Sequence, residues 1–536
     1  MLRRLFVALG ILATAVALFP GAQPEEGDVR HLYPTTLLAL GLDTDAHTLP
    51  YLLGFLENID YPKKQISLEI YVHSKEDTTQ QQVGWWLDSA REYFRRVKLV
   101  ADSTNWLEDA LRSARVQKIS RCFLLPGDTV PKAPNILQML FREPSHLVVT
   151  PLFQSVDGSL NVEEASERVQ KRENVREQVL KKVWLPLAIN LTAIDSSYLT
   201  FDAQNLPHYE AADEPLEVFA NSAERMDIPI YVDNQDDYGF FVNPELDLED
   251  RRTMFRYQLA DVIADGNPLP IVSRSVRPWL PEPSLWDTQK IYVINLKRRP
   301  ERLQKMEKIF ELLGVEATVW EATDGNYLDS LPSPHKSHAT LPSYRDPIMN
   351  RPIKAGEIGC FLSHYRIWED VVKEGLDRVI VFEDDLRFAP NGLQRVREVL
   401  ADLDATGKPW DLIYLGRKKQ ADQEELWVSG HRHLSTVGYS YWTLGYLLSK
   451  SGAEKLLAAK PLQKIVPVDE FLPIMFDRHP NQDWKEQFQK RDLDAFTLYP
   501  LSVSPQRYTH ENGYVSDTEN SSILQPLVPS KGKTEL

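Results

Sequence analysis

Apolar positions along this chain recur at two spacings that take turns, every second residue and every three to four residues. Thr36–Gly41 is a short apolar run that reads as a strand, and His47–Ile59 places Leu49, Leu52, Leu53 and Leu56 on one side of a helix. Ser67–Val72, Val97–Ala101, Arg121–Leu125 and His146–Phe153 read as further strands. This β-α-β-α rhythm predicts an α/β domain with a mainly parallel sheet. Glu163 to Lys182 is dense in charge and predicts a solvated helix or an insertion. Five prolines between Asn267 and Ser284 (Pro268, Pro270, Pro278, Pro281, Pro283) predict an extended connector. Beyond it the rhythm restarts, with strands expected at Lys290–Leu296, Ala317–Trp320, Val379–Phe382 and Trp410–Leu415. Helices are expected at Pro300–Leu313 and at Lys354–Glu374, the second closed by Gly375. The expected fold class is therefore α/β, as two tandem Rossmann-like domains.

Length supports two domains, since 536 residues exceed one ordinary core. Hydrophobic residues at 43% and charged residues at 26% are the composition of folded globular protein. A formal charge of −16 argues against a nucleic-acid partner, which calls for a basic stripe or patch. It leaves room for an anionic substrate, because a few arginines act locally against the global field. Arg3 and Arg4 precede an apolar run from Leu5 to Phe19 and then Pro20-Gly21-Ala22, the layout of a signal peptide cleaved near Ala22. The run falls short of the roughly 20 residues of a membrane anchor, so no stable membrane span is expected. The closing Lys533-Thr534-Glu535-Leu536 is a close variant of the Lys-Asp-Glu-Leu retrieval signal. Together the two ends predict a resident of the endoplasmic reticulum lumen that meets a retrieval receptor. Cys122 and Cys360 fall in different expected domains and are expected as two free thiols. Asn190-Leu191-Thr192 and Asn520-Ser521-Ser522 are glycosylation sequons under that lumenal reading.

The strongest chemical signal is Val379-Ile380-Val381-Phe382 running into Glu383-Asp384-Asp385. A buried strand ending in acids sets carboxylates at the C-terminal edge of a parallel sheet, where open α/β folds bind ligands. Alternation along a strand puts Glu383 and Asp385 on one face and Asp384 on the other. Paired carboxylates suit Mg²⁺ or Mn²⁺, hard cations that bridge to a diphosphate. The bare pattern is weak: with 77 acids in 536 residues, about 11 acid-x-acid pairs arise by chance. Its place after a buried strand is what sets it apart. Asn295-Leu296-Lys297-Arg298-Arg299-Pro300 is a basic turn between strand and helix, suited to phosphate, or else a surface helix start whose arginines pair with nearby acids. Asp324-Gly325 is first of all a turn, with nucleotide binding as its functional reading. Cys360, His364 and Trp368 share one helix face, where a histidine is more often a hydrogen-bonded core residue than a catalyst. Asp469, just before a helical run, reads as an N-cap or as a general base.

These stretches resemble glycosyltransferase family 25, on the side of the animal procollagen galactosyltransferases. The resemblance runs in order through residues 290–516: Val293–Arg299, Glu321–Gly325, Tyr344–Pro347, Gly356–Tyr365, Val381–Phe388, Trp410–Arg417, Tyr439–Leu444, Pro467–Asp477 and Gly513–Glu519. It implies a transferase of the GT-A type that uses Mn²⁺ and UDP-galactose as donor. The implied acceptor is hydroxylysine in collagen, galactosylated with inversion. Carried over residue by residue, Glu383, Asp384 and Asp385 would hold the metal. Arg298 and Arg299 would meet the diphosphate, and Asn295 and Asp324 the nucleoside end. Asp469 would take the acceptor proton, with Glu470 as second choice.

The N-terminal half departs from the pattern. Where the family carries Asp-x-Asp, this chain reads Cys122-Phe123-Leu124-Leu125-Pro126-Gly127-Asp128, with one acid for two. The domain is therefore expected to keep its fold and to serve as scaffold or acceptor platform. The expected organisation is a signal peptide at 1–22, a degenerate GT-A-like domain at 23–270, a linker at 271–288, the family domain at 289–516 and a tail at 517–536. Two other readings stay open: a non-catalytic binding or adhesion-type relative, and a transferase with another donor or acceptor. A homodimer is left open as well.

Overall fold

The computed structural model describes residues 33–506, apart from 74–76, 102, 163–165, 172, 174, 180–181, 211–213 and 421–423. The leader run Leu5–Phe19, the sequon at Asn520, the Gly513–Glu519 match and the closing tetrapeptide lie outside the described residues. The chain forms two compact units. One holds the described residues up to Gln258 with Pro268–Trp279; the other holds Leu259–Asn267 and the described residues from Leu280 on.

The first unit is built on eight strands: β1 (Thr36–Leu42), β2 (Ile66–Val72), β3 (Arg96–Ala101), β4 (Arg121–Pro126), β6 (Val148–Pro151), β7 (Arg176–Val179), β8 (Leu187–Asn190) and β9 (Ile230–Asp233), ordered 3-2-1-4-8-6-9-7. A small ribbon pairs β5 (Thr129–Pro131) with β10 (Gly239–Phe241). The strands β3, β2, β1 and β4 run parallel, joined by helices α1 (Leu49–Asn58), α2 (Thr79–Ala90) and α3 (Trp106–Val116). Between β4 and β6 the antiparallel β8 intervenes. The strands β1 and β2 are buried almost throughout, which is why they read as unbroken apolar runs rather than alternating ones. The charged stretch Glu163–Lys182 departs from expectation. Its described part holds one helical turn, Glu167–Gln170, and then β7, which adds to β9 as an antiparallel edge. Charge is tolerated there because an edge strand keeps one side in water. The proline-rich stretch is extended, and its Pro268–Trp279 part lies along α1, where Ser273 donates to Glu57 at 2.7 Å.

The second unit carries a seven-stranded sheet of β11 (Lys290–Asn295), β12 (Thr318–Glu321), β13 (Arg378–Glu383), β15 (Leu412–Lys419), β16 (Leu434–Thr436), β17 (Ser440–Ser449) and β18 (Ala495–Leu498), ordered 12-11-13-17-15-18-16. A ribbon of β14 (Leu386–Phe388) and β19 (Val503–Pro505) lies beside it. The strands β12, β11 and β13 are parallel, and β17 runs against both β13 and β15. That reversal brings the start of β17 to the edge where β13 ends. Three helices matter for the site: α4 (Pro300–Leu313), α5 (Ala355–Glu374) and α6 (Val468–Met475). The first begins on Pro300, preset for a first turn, and ends on Gly314 in the left-handed region. Two carboxylate oxygens of Glu357 anchor the start of α5, taking the Lys354 N–H at 2.7 Å and both arms of Arg351 at 2.8 and 2.9 Å. Phe361 and Trp368 of α5 pack on Phe471 of α6 with ring centroids 5.4 and 5.7 Å apart. Each such pair contributes about 0.5–1.5 kcal/mol beyond its burial, and together they set α6 against α5.

Candidate active site

The acids after β13 end up in three different environments. Glu383 closes the strand, and its Oε1 accepts from His364 Nε2 at 3.2 Å and from the Thr443 hydroxyl. Asp384 is buried and turned to the other side, where it accepts from Asn295 at 2.6 Å and Arg302 at 3.2 Å. Asp385 lies past the strand, in the bend, so the same Arg302 also reaches its Oδ2 at 3.5 Å. Strict alternation thus fails after Glu383, because the pleat stops there. Asp385 Oδ1 is buried and has no partner among the described residues. A buried acceptor without a donor carries a desolvation penalty of about 1–3 kcal/mol, which a bound cation removes.

The charges respond accordingly. Burial first, then the charges of Glu383 and Asp384, lifts Asp385 to about 7. Burial also raises Asp384 above the usual carboxylate range, against the pull of Arg302 and Asn295. Burial pushes Glu383 the same way, but its hydrogen bond to and electrostatic interaction with His364, then the Thr443 hydrogen bond and the charge on Arg302, overcome it and hold Glu383 low. One anion is thus stable unaided, and its neighbours call for a positive charge.

Asp469 stands in the first turn of α6 but does not cap it, since the N-cap residue is Pro467. Its carboxylate instead accepts from the Trp442 N–H at 3.1 Å and lies 3.5 Å from the Thr443 hydroxyl. Burial, and next the charge of Glu383, lifts it to about 7. That is the range in which a carboxylate can both hold and release a proton near neutrality. Trp442 has φ of +70°, rare for a residue with a side chain, and this twist aims its N–H. Glu470 is 3% exposed, and its oxygens accept from Tyr439, Tyr441 and His479 at 2.8 to 2.9 Å. It is a structural hub.

The basic turn is also engaged. Arg298 pairs with Asp324 at 2.9 Å, so two residues expected to meet a nucleotide meet each other. Asp324 further accepts from the Asn326 N–H, as a turn aspartate does. Asn295 is 4% exposed and braces the turn by donating to the Arg299 carbonyl at 3.0 Å. Arg299 is near enough that its charge draws Asp385 down slightly. The Asp324-Gly325 turn packs on the start of α5 with no room for a Cβ at Gly359, which would sit 2.4 Å from the Thr323 carbonyl. Sequence reasoning missed Arg302, Thr443 and Trp442, and it took His364 for core. The signal for Arg302 was its place at the third residue of a helix whose start follows the β11 edge. For Thr443, which arrives 60 residues later on a reversed strand, the one signal is its place in the matching stretch Tyr439–Leu444.

Elsewhere, Cys122 and Cys360 are free thiols. Asn190 is 4% exposed and its amide donates to the Pro144 carbonyl at 3.0 Å. In the first unit, burial and then the Asp45 charge lift Asp128 to about 8. No helix among the described residues is long and apolar enough to cross a membrane.

Comparison with known proteins places this geometry in context. The family model "Glycosyltransferase family 25 (LPS biosynthesis protein)" matches residues 288–472, and "Glycosyltransferase family 25, N-terminal domain" matches residues 33–107. A glycosyltransferase 25 family member of Anopheles gambiae is 35% identical, over 94% of this chain and 91% of its own. Procollagen galactosyltransferase 1-A of Xenopus laevis is 33% identical over 98% of this chain and 92% of its own. A mouse protein called inactive glycosyltransferase 25 family member 3 is also 33% identical, over 91% and 88%. Among solved structures, mannosyltransferase PcManGT from Pyrobaculum calidifontis in complex with GDP-Man and Mn²⁺ covers 49% of this chain and 74% of its own, at 13% identity and a TM-score of 0.27. A superposition that loose carries no argument about the site.

Proposed function

The chain belongs to glycosyltransferase family 25, and from that premise we propose that its second unit is a working galactosyltransferase. The donor is UDP-galactose, the acceptor is the hydroxyl of hydroxylysine in a collagen-like chain, and the reaction inverts the anomeric centre. The observation that carries this reading is the partnerless Asp385 Oδ1 at the edge of β13, on the same rim as a carboxylate lifted to about 7. The carboxylate oxygens of Asp385 and Glu383 suit Mn²⁺, and these are the residues that would hold it. When bound, Mn²⁺ supplies positive charge to the departing diphosphate.

The protein's own groups account for the rest. Asp469, oriented by the Trp442 N–H, accepts the proton of the acceptor hydroxyl as its oxygen attacks. Arg302 neutralises Asp384 and steadies Asp385, so the carboxylate that faces the ligand keeps one position. Arg299 and Arg298 line the basic turn on the nucleotide side. The first unit serves as scaffold or acceptor platform, a role supported by the missing second acid. The endoplasmic reticulum lumen is the compartment this reading takes.

The test incubates purified protein with UDP-galactose, Mn²⁺ and a hydroxylysine-containing collagen peptide, and looks for one added hexose by mass spectrometry. Controls are EDTA, UDP-glucose and Asp385→Asn. A galactose adduct that disappears with EDTA and with the variant supports the reading. Folded protein that transfers no sugar from either donor refutes it, and places the chain with the relatives called inactive.

A further inference from the structure

The polar groups beneath Glu383 form a chain whose proton directions follow from one end. The Trp368 indole N–H can only donate, and its partner is the Tyr446 hydroxyl at 3.2 Å. Tyr446 therefore accepts there and sends its own proton along its other contact, 2.9 Å to His364 Nδ1. Tyr446, His364 and Trp368 are all 0% exposed, so bulk water does not compete for these bonds. With Nδ1 accepting, the neutral imidazole carries its proton on Nε2. That nitrogen lies 3.2 Å from Glu383 Oε1, which also receives the Thr443 hydroxyl. Both donors converge on Oε1 and leave Oε2 outside this pair of bonds.

The same neighbourhood has a rival reading. Cys360, His364 and Glu383 bring ligand atoms within 4.8 Å of one another, a donor set suited to a borderline-soft cation such as Zn²⁺. That reading requires the Nε2 proton to leave and an Nδ1–H to point at Tyr446. Tyr446 would then accept twice, and its own proton would have no acceptor among the described residues. The fixed Trp368 donor thus decides between the two in favour of the hydrogen-bond chain.

We propose that His364 is a positioning residue: Trp368 and Tyr446 fix it as the Nε2–H tautomer, and it holds the Glu383 carboxylate in one orientation with Oε2 available to a cation. This deepens the metal-dependent reading of the site, while the tautomer itself does not depend on that reading.

The experiment uses the full chain with His364→Leu, His364→Gln and Cys360→Ser. Glutamine can offer an amide N–H near the position of Nε2, so it tests donation rather than shape. Three readouts are taken: Mn²⁺ affinity from the resonance of free ion, thermal melting to confirm folding, and ¹⁵N spectra of histidine-labelled protein without metal or sugar. The spectra are expected to show His364 protonated on Nε2. The Mn²⁺ affinity is expected to fall about 10–100-fold in His364→Leu, the usual loss for a group that orients a ligand, and to recover most of the way in His364→Gln. The Nδ1–H tautomer would overturn the proposal, as would a folded His364→Leu that binds Mn²⁺ like the natural chain. A Co²⁺–thiolate absorption that vanishes in Cys360→Ser would overturn it in favour of the soft-cation site. If the natural chain binds no Mn²⁺, the metal reading fails and the tautomer alone decides this one.

Discussion

Replacing Asp385 by asparagine should remove the cation site and yet stabilise the cation-free protein. Burial and two neighbouring anions raise Asp385 from 3.8 to about 7. Three pH units correspond to about 4 kcal/mol, at roughly 1.4 kcal/mol per unit. The side chain is 32% exposed, and screening by solvent brings the figure to about 2 kcal/mol. The sign follows from linkage. A carboxylate raised by folding favours the folded state fully below its unfolded value, and that favour is lost as pH rises through about 7. At pH 8 the natural chain therefore carries the whole penalty of a buried anion, and the asparagine variant carries none. In EDTA at pH 8 the variant should melt about 4–8 °C higher, taking 2–4 °C per kcal/mol for domains of this size. At pH 5 the gap should narrow, because there more of the folded carboxyl is protonated. Mn²⁺ should raise the melting temperature of the natural chain and leave the variant unmoved. Paired melting curves at the two pH values, with and without Mn²⁺, provide the assay. A variant that melts lower than the natural chain in EDTA at pH 8 would show that Arg302 already satisfies Asp385, and the argument for a cation there would collapse.

Further outcomes follow from the same geometry. Asp469→Asn should lower kcat about 10²–10⁴-fold, the usual contribution of a positioned base, with little change in donor KM. In the natural chain the rate should climb as pH rises through about 7, since the base must be ionised, and hexose transfer measured across pH 5–9 checks both. Arg302→Met strands Asp384 as a buried anion with Asn295 alone and should cost about 3–5 kcal/mol, read by urea denaturation; unchanged stability would show that Asp384 is neutral in the folded chain. Gly359→Ala forces a Cβ to within 2.4 Å of the Thr323 carbonyl and should destabilise by about 1–3 kcal/mol, with a matching fall in melting temperature.

The sequence disclosed elements whose signals are local. Pro300–Leu313 is bounded by a proline that starts a helix and a glycine that ends one, and the structure sets its limits at those residues. The run before Glu383 is apolar on both faces because the strand is covered on both, and that too is visible without coordinates. Glu163–Lys182 misled because charge density marks solvent exposure without telling an edge strand from a helix. The site itself was half visible. Glu383 and Asp385 stand out by following a buried strand, but the division of labour among the three acids depends on where the pleat stops. Arg298 and Asp324 are both plausible ligands for a nucleotide when read singly; only their mutual distance shows that they pair. His364 looked like core because it is core, and the role proposed for it comes from what lies beneath it.

The twist at Trp442 has a consequence for how this site can change through descent. The base proposed at Asp469 is oriented by a main-chain N–H, which every residue except proline supplies. A mutation at position 442 can therefore exchange the ring, whose centroid lies 5.5 Å from the Lys418 ammonium, while the bond that aims Asp469 survives. The left-handed φ is a tax on most replacements, but glycine, asparagine and aspartate bear it lightly. A lineage could thus vary the side chain at this edge of the sheet without first losing the bond that orients Asp469.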